Sequence, residues 1–390
     1  MGEVAAPFAS ATNINYTNPA SYASLTRTTV QIGANLGGVN ILSRDSSYKA
    51  SGASISHFVI AFVPNPKHNA WAITAGIVPF SSVDYNFVQA YNDPQIGPYY
   101  QAYTGNGSLY NVFAGGAYKV KGFSIGANVG YIFGKLEYQK VIAFPDSVLA
   151  FNTRNITDIN INGFSYNLGV QYQMLIYKNL SDPDITKQIF MTVGAYGSGG
   201  SKLATKTNTY WDRFNYDVNS NLVVADTLQS TFGTKGKITL PYNFGAGVMF
   251  GNELFWLVGA DFKYMNWQSY TTPLDNGNLT NSWQASFGAQ ITPKYGDRNY
   301  LKEIQYRAGF YTGKSEYNIN GATLTENAAT IGIGLPLKKS APYKQLGAFN
   351  LTGEFGSRGG SDKSLIRENY YRFTIGFVLN DIWFIKRKFD

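Results

Sequence analysis

Apolar and polar residues alternate with period two along most of the chain. Near the C-terminus, Tyr371, Phe373, Ile375, Phe377 and Leu379 interleave with Arg372, Thr374 and Gly376. Near the middle, Phe164, Tyr166, Leu168, Val170, Tyr172 and Met174 interleave with Ser165, Asn167, Gly169, Gln171 and Gln173. Successive side chains of a strand point to opposite faces. Each segment therefore has one aromatic and aliphatic face and one face of glycine, amide and hydroxyl. A soluble sandwich would press the apolar faces together. A transmembrane barrel turns them to lipid and encloses the polar set.

About fourteen segments carry the pattern, near 28–43, 53–64, 69–85, 108–120, 123–141, 156–175, 187–208, 236–250, 254–270, 280–293, 303–317, 322–336, 347–359 and 368–380. Each approaches or exceeds the ~9–11 residues that a tilted strand needs to span a bilayer. In the segment 254–270, Asp261 and Lys263 fall on the polar face and are expected to pair in the lumen. The connections alternate too. Short ones lie at 65–68, 121–122 and 251–253, and longer ones at 86–107, 142–155 and 209–235, as expected of periplasmic turns and outer loops. Residues 1–27 show no strand period and are placed inside or below the barrel.

Composition favours the barrel. Aromatic residues make up 16% of the 390-residue chain and charged residues only 14%, against a usual charged share of about 25%. Tyrosine (29), phenylalanine (26) and glycine (41) are abundant, which suits interfacial aromatic belts and a crowded lumen. Mean hydropathy is only -0.18, because alternation cancels the average. No run approaches the ~20 apolar residues of a membrane helix. The expected fold is all-β: a single transmembrane β-barrel of about fourteen antiparallel strands spanning 28–390. The start, MGEVAAPFAS, has no basic segment followed by an apolar core. An outer-membrane protein needs an export signal, so one is expected to be missing here.

The chemistry of the chain is sparse. With no cysteine there is no disulfide frame, thiolate or Cys-based metal site. His57 and His68 have no second ligand nearby in sequence, and no metal or cofactor is expected. No Ser/His or Asp/His pairing motif points to an enzyme or catalytic residues. The formal charge of +8 comes from scattered Lys and Arg without a long stripe, which argues against nucleic acid. It fits a basic rim meeting outer-membrane lipid or lipopolysaccharide. Gly197-Ser198-Gly199-Gly200 lacks the lysine and helix of a phosphate loop and reads as a strand end.

Asn18-Pro19-Ala20, just before the first strand, resembles the N-terminal signature of the FadL/TodX-like outer-membrane family. Ile14-Asn15-Tyr16-Thr17-Asn18-Pro19-Ala20-Ser21-Tyr22 resembles Bacteroidota-type members in particular. Leu379-Asn380-Asp381-Ile382-Trp383-Phe384-Ile385-Lys386-Arg387-Lys388, Leu240-Pro241-Tyr242-Asn243-Phe244-Gly245-Ala246-Gly247 and Tyr306-Arg307-Ala308-Gly309-Phe310 are similar to later patterns of the same family. The resemblance implies a bacterial outer-membrane location and a hatch formed by 1–27, with Asn18, Pro19, Ala20 and Ser21 at its signature. A bare Asn-Pro turn is the alternative for that segment.

Pro79 lies within the third alternating segment. Lacking an N–H, it marks a bulge or kink. The resemblance implies a lateral opening there, bordered by Ile77, Val78, Pro79, Phe80 and Ser81. A bend near the rim without function is the competing reading. In 86–107, Phe87, Tyr91, Tyr99, Tyr100 and Tyr103 form either an apolar collecting surface or an interfacial belt. Asp146-Ser147-Val148 and Asp226-Thr227-Leu228 resemble the O-glycosylation acceptor of Bacteroidota. Two functions follow from the resemblance. One is passive passage of hydrophobic small molecules. The other is a non-transporting subunit, bound to partner membrane proteins, of a multiprotein outer-membrane secretion or outer-membrane-protein assembly complex.

Overall fold

The computed structural model describes residues 1–42, 47–64, 70–145, 150–178, 188–217, 219, 221–273, 279–319, 321–337, 347–359, 367–381 and 383. Among them are sixteen strand segments: β1 (Thr28–Leu42), β2 (Ser47–Phe62), β3 (Trp71–Asp93), β4 (Gly97–Val120), β5 (Phe123–Ala143), β6 (Asn152–Tyr177), β7 (Ile189–Ser198), β8 (Lys202–Tyr216), β9 (Leu222–Thr239), β10 (Asn243–Asn252), β11 (Trp256–Met265), β12 (Ser282–Ile291), β13 (Gln305–Ile319), β14 (Ala322–Leu337), β15 (Gly347–Gly359) and β16 (Arg367–Asp381).

Two pairs of these segments are halves of longer strands. β6 pairs with β7 along Leu168–Tyr177 and with β8 along Asn152–Asn162. β7 and β8 therefore form one wall strand, interrupted at 199–201, where Gly199 and Gly200 stand. β9 and β10 are likewise interrupted at 240–242. With β1 paired to β16, fourteen antiparallel wall strands close into a barrel. Closure is what lipid demands, since hydrocarbon cannot satisfy an open backbone edge.

The alternation is inverted relative to a soluble protein. On β5, Phe123, Ile125, Val129, Tyr131 and Phe133 are exposed, while Ser124, Asn128 and Ile132 are buried. The apolar set faces lipid, and Gln31, Thr74, Asn128, Gln171 and Glu354 are among the polar residues buried in the lumen.

The wall is uneven in height. β3, β4 and β6 have 23, 24 and 26 residues, whereas β10, β11 and β12 have ten each. The long side continues beyond the barrel rim as a six-stranded sheet in the order β3-β4-β5-β6-β8-β9. This corrects the expectation of loops at 86–107 and 209–235. The first is the upper hairpin of β3 and β4, with a turn only at 94–96, and most of the second is the hairpin of β8 and β9. Backbone pairing to the neighbouring strand extends these segments where their side-chain pattern is weak.

On β13 to β16, ion pairs line the lumen. Arg372 Nη2 donates to both Glu354 oxygens at 2.7 and 2.8 Å, Tyr311 Oη donates to Glu354 at 3.0 Å, and Tyr370 Oη donates to Glu326 at 2.7 Å. Arg358 bridges Glu326 and Glu368. The expected Asp261–Lys263 pair does not form. Asp261 Oδ2 instead accepts the backbone N–H groups of Ala5 and Ala6, because the N-terminal segment lies against it and presents donors that would otherwise be unsatisfied.

Candidate functional site

Residues 1–26 cross the barrel interior before β1 begins. They rest on a bed of small residues on the lumen face. An added Cβ on Gly126 would stand 2.5 Å from the Pro19 carbonyl, and one on Gly169 would stand 2.0 Å from Asn18 Oδ1. A Cβ on Gly194 would meet the Ala6 carbonyl at 2.0 Å, one on Gly288 the Met1 carbonyl at 2.3 Å, and one on Gly309 the Gly2 nitrogen at 2.0 Å. Gly126 and Gly169 are register partners, as are Gly288 and Gly309. The absence of side chains at one level of the wall lets a second backbone lie flush against it.

Hydrogen bonds fix the segment there. Asn18 is fully buried. Its Nδ2 donates to the Ala6 carbonyl at 2.7 Å, and its Oδ1 accepts the Ala20 N–H at 3.1 Å, capping the short 3-10 turn Pro19–Ser24. Tyr22 Oη donates to Asn128 Oδ1 at 3.1 Å, Asn167 Nδ2 to the Thr17 carbonyl at 2.7 Å and Gln171 Nε2 to the Ala6 carbonyl at 2.9 Å. Tyr22, Ala23 and Leu25 also pack into an apolar cluster with Val59, Ala61, Val63 and Phe113. Sequence reasoning singled out Asn18, Pro19, Ala20 and Ser21 but not their seat. Glycines and amides recurring on several lumen faces were the available signal, and only register shows that they share one level.

Glu253, in the turn after β10, accepts the Ala11 N–H at 2.9 Å and a hydrogen bond from the Ser10 hydroxyl. Burial pushes its carboxyl above the usual range, against these two donors that pull it down. A raised carboxyl pKa contributes stability that is present at low pH and fades as pH rises through the folded value. Protease resistance of residues 1–26 is therefore expected to fall as pH rises above the ordinary carboxylate range, and Glu253→Gln to flatten that dependence. Equal pH profiles for the two proteins would refute the assignment.

Above the segment lies a cavity of about 830 Å3. Tyr16 and Thr17 contribute to its lining, and Val78, Phe80, Leu109, Phe113, Leu136, Ile161, Leu203 and Ile238 line its apolar side. Lys263 and Glu316 lie on its polar side. The apolar side continues into the buried cluster of Leu109, Ile132, Leu136, Ile159, Ile161, Leu203 and Ile238.

The cavity reaches a seam in the wall. β2 and β3 share only five register pairs, from Phe58↔Ile77 to Phe62↔Ile73, fewer than the ~9–11 that cross a bilayer. Beyond them β2 pairs only with β1, and β3 only with β4. Both strands have a register shift beside the seam: Phe80 is the extra residue of β3 between Pro79 and Ser81, and Ser56 that of β2 opposite Gly33 and Ala34. Pro79 has no N–H to offer an edge, which suits its place. Ile77 is the last paired residue, while Val78, Phe80 and Ser81 line the cavity.

The aromatic residues of 86–107 divide. Phe87 stacks on Tyr103 at 5.0 Å and Tyr91 on Tyr99 at 5.2 Å. These four continue the lumen face upward, whereas Tyr100 pairs opposite Ala90 on the other face. His57 Nδ1 lies 2.9 Å from Ser56 Oγ, and its ring is 6.0 Å from that of Tyr16. His68, Asp146-Ser147-Val148 and Lys386 to Lys388 lie outside the described residues. Asp226-Thr227-Leu228 is exposed on β9, where Asp226 is paired with Arg213 at 2.7 Å.

A sequence model of the BamG family matches residues 1–390. No curated protein sequence matches. Among solved structures, the chain is similar to the Pseudomonas putida toluene transporter TodX, with 13% identity over 97% of this chain and 96% of that one and a TM-score of 0.59. A FadL homologue of Pseudomonas aeruginosa gives 11% identity, 94% and 93% coverage and 0.59. The CymD monoaromatic hydrocarbon channel gives 12%, 94% and 91%, and 0.54. These likenesses show a FadL-like outer-membrane barrel fold and place the chain in the bacterial outer membrane.

Proposed function

The chain belongs to the BamG family, and we propose that it serves as a non-transporting barrel subunit of a multiprotein outer-membrane complex of the protein-assembly kind. The observation that carries this reading is the sheet above the rim. Among the described residues, β9 pairs with β8 and otherwise only through the single bridge of its last residue, Thr239, to Thr271, and its tip has no inner or outer side. Leu222, Val223, Val224, Leu228 and Phe232 are all exposed, Phe232 at 70%. An exposed apolar edge strand is a hazard that proteins cover or charge, and a neighbouring subunit would cover it. The family name points the same way.

A second reading, passive passage of a hydrophobic small molecule, is favoured by the cavity and the seam. In that reading residues 1–27 act as the hatch, with Asn18, Pro19, Ala20 and Ser21 on its seat. Solute gathers at Phe87, Tyr91, Tyr99 and Tyr103 and leaves through a lateral opening between Ile77 and Ser81. The structural relatives named for toluene and monoaromatic hydrocarbons support it at the level of fold alone.

Purification from native membrane in mild detergent separates the readings. The subunit reading expects stoichiometric protein partners by mass spectrometry. A lone barrel carrying a bound hydrophobic compound would reject it in favour of the channel.

A further inference from the structure

The outward faces of four neighbouring strands change character at one level. On β5, Tyr131 and Phe133 are followed by Lys135; on β6, Phe164 is preceded by Asn162 and Asn160. Beyond the interruptions at 199–201 and 240–242, the same outward face carries Lys202 and Lys206 on β8 and Lys235 and Lys237 on β9. Leu203 and Ile238 are buried register partners, so their neighbours point outward. Lys206 stands directly opposite Lys235, and Lys237 opposite Ala204. All four lysines are exposed.

Two features of this patch ask for an anion. Like charges directly opposite each other in a sheet are destabilising, and none of the four is paired with a carboxylate among the described residues. Lys135, on the same rung as Asn160 and Lys206, has its own partners in Glu137 and Asp158. The patch also lies where the lipid-facing band ends. Tyr131 and Phe164 pack edge to face at 5.3 Å just below it, and the tall hairpins β3–β4 and β8–β9 place this end of the barrel on the outer side. An occupant must bring negative charge to the lysines while its chains lie against those rings.

We propose that Lys202, Lys206, Lys235 and Lys237 bind the phosphorylated head group of an outer-leaflet glycolipid of the lipid A class. Ammonium groups bind phosphate as point charges with strong hydrogen bonds. Two phosphates on one sugar core match a cluster spread over two adjacent strands. The inference concerns the lipid around the barrel and is independent of which function the lumen or β9 serves.

The test compares the natural protein with two quadruple variants, lysine to glutamine and lysine to arginine, at the four positions. Each is stripped of lipid, checked for heat-modifiable migration as a folded barrel, and titrated with bisphosphorylated lipid A under native mass spectrometry. If the glutamine quadruple fails the folding check, Lys206→Gln/Lys235→Gln replaces it. The natural and arginine proteins are expected to hold the lipid alike and the glutamine variant at least about tenfold more weakly. Dephosphorylated lipid A should bind all three equally poorly. Retention by the glutamine variant, or equal binding of the dephosphorylated lipid, would overturn the proposal. So would displacement by millimolar inorganic phosphate, which identifies a free-anion site. Loss of a co-purifying protein without loss of lipid would assign the patch to a protein contact instead.

Discussion

Gly169→Leu unseats the N-terminal segment while the barrel stays closed. A side chain there begins 2.0 Å from Asn18 Oδ1 and 2.9 Å from Pro19 Cδ, and the wall behind it is a paired strand that cannot retreat. Overpacking alone costs about 1–3 kcal/mol. Displacing Asn18 also abandons its bonds to Ala6 and Ala20, each of which contributes about 0.5–1.5 kcal/mol net. The chain has no cysteine, so a near-isosteric Ser21→Cys makes a clean reporter at a buried position. Maleimide labelling of the introduced thiol is expected to be slow in the parent and at least about tenfold faster with Gly169→Leu, a ratio that corresponds to about 1.4 kcal/mol of lost seating. Gly52→Leu is the control, because no atom lies within 4 Å of its added Cβ. Equal labelling in all three would mean that the glycine bed does not hold the segment.

The second large effect concerns β9. Val224→Asp together with Leu228→Asp places two charges on the free strand, at residues that are 42% and 44% exposed. Exposed substitutions of this kind change fold stability by about ±0.5 kcal/mol or less. Loss of an apolar anchor from an interface costs about 2 kcal/mol or more, near thirtyfold in affinity. Partners should therefore disappear from the purified complex while the barrel keeps its heat-modifiable migration. Undiminished partners would move the contact elsewhere and remove the main support for the subunit reading.

Most of the fold was legible because lipid and lumen impose opposite demands on alternate residues. Phe123 to Phe133 on β5 and Trp283 to Ile291 on β12 read directly as strands, and their observed ends fall within a few residues of expectation. The upper part of β9 was not legible. Leu222, Val223 and Val224 follow one another without alternation, since above the membrane neither face has a fixed solvent. The splitting of the wall strand at 240–242 was also hidden, although Pro241 stands there, whereas the glycines of 197–200 had marked a strand end where β7 stops at Ser198. The position of Asn18 just before the first strand was visible. Its seat was not, because Gly126, Gly169, Gly194, Gly288 and Gly309 look like any other small lumen residues until register brings them to one level. The ion-pair expectation for Asp261 failed for the same reason: its true partners are more than 250 residues earlier in the chain.

That bed of glycines sets an order of events during biogenesis. Its members come from strands spread between β5 and β13, so residues 1–26, which precede all of them in the chain, have nowhere to settle until most of the wall has been laid down. This segment must wait, unplaced, while later strands arrive. Seating then becomes one of the final steps of maturation, and a barrel stalled before β13 joins is expected to be one whose beginning is still loose.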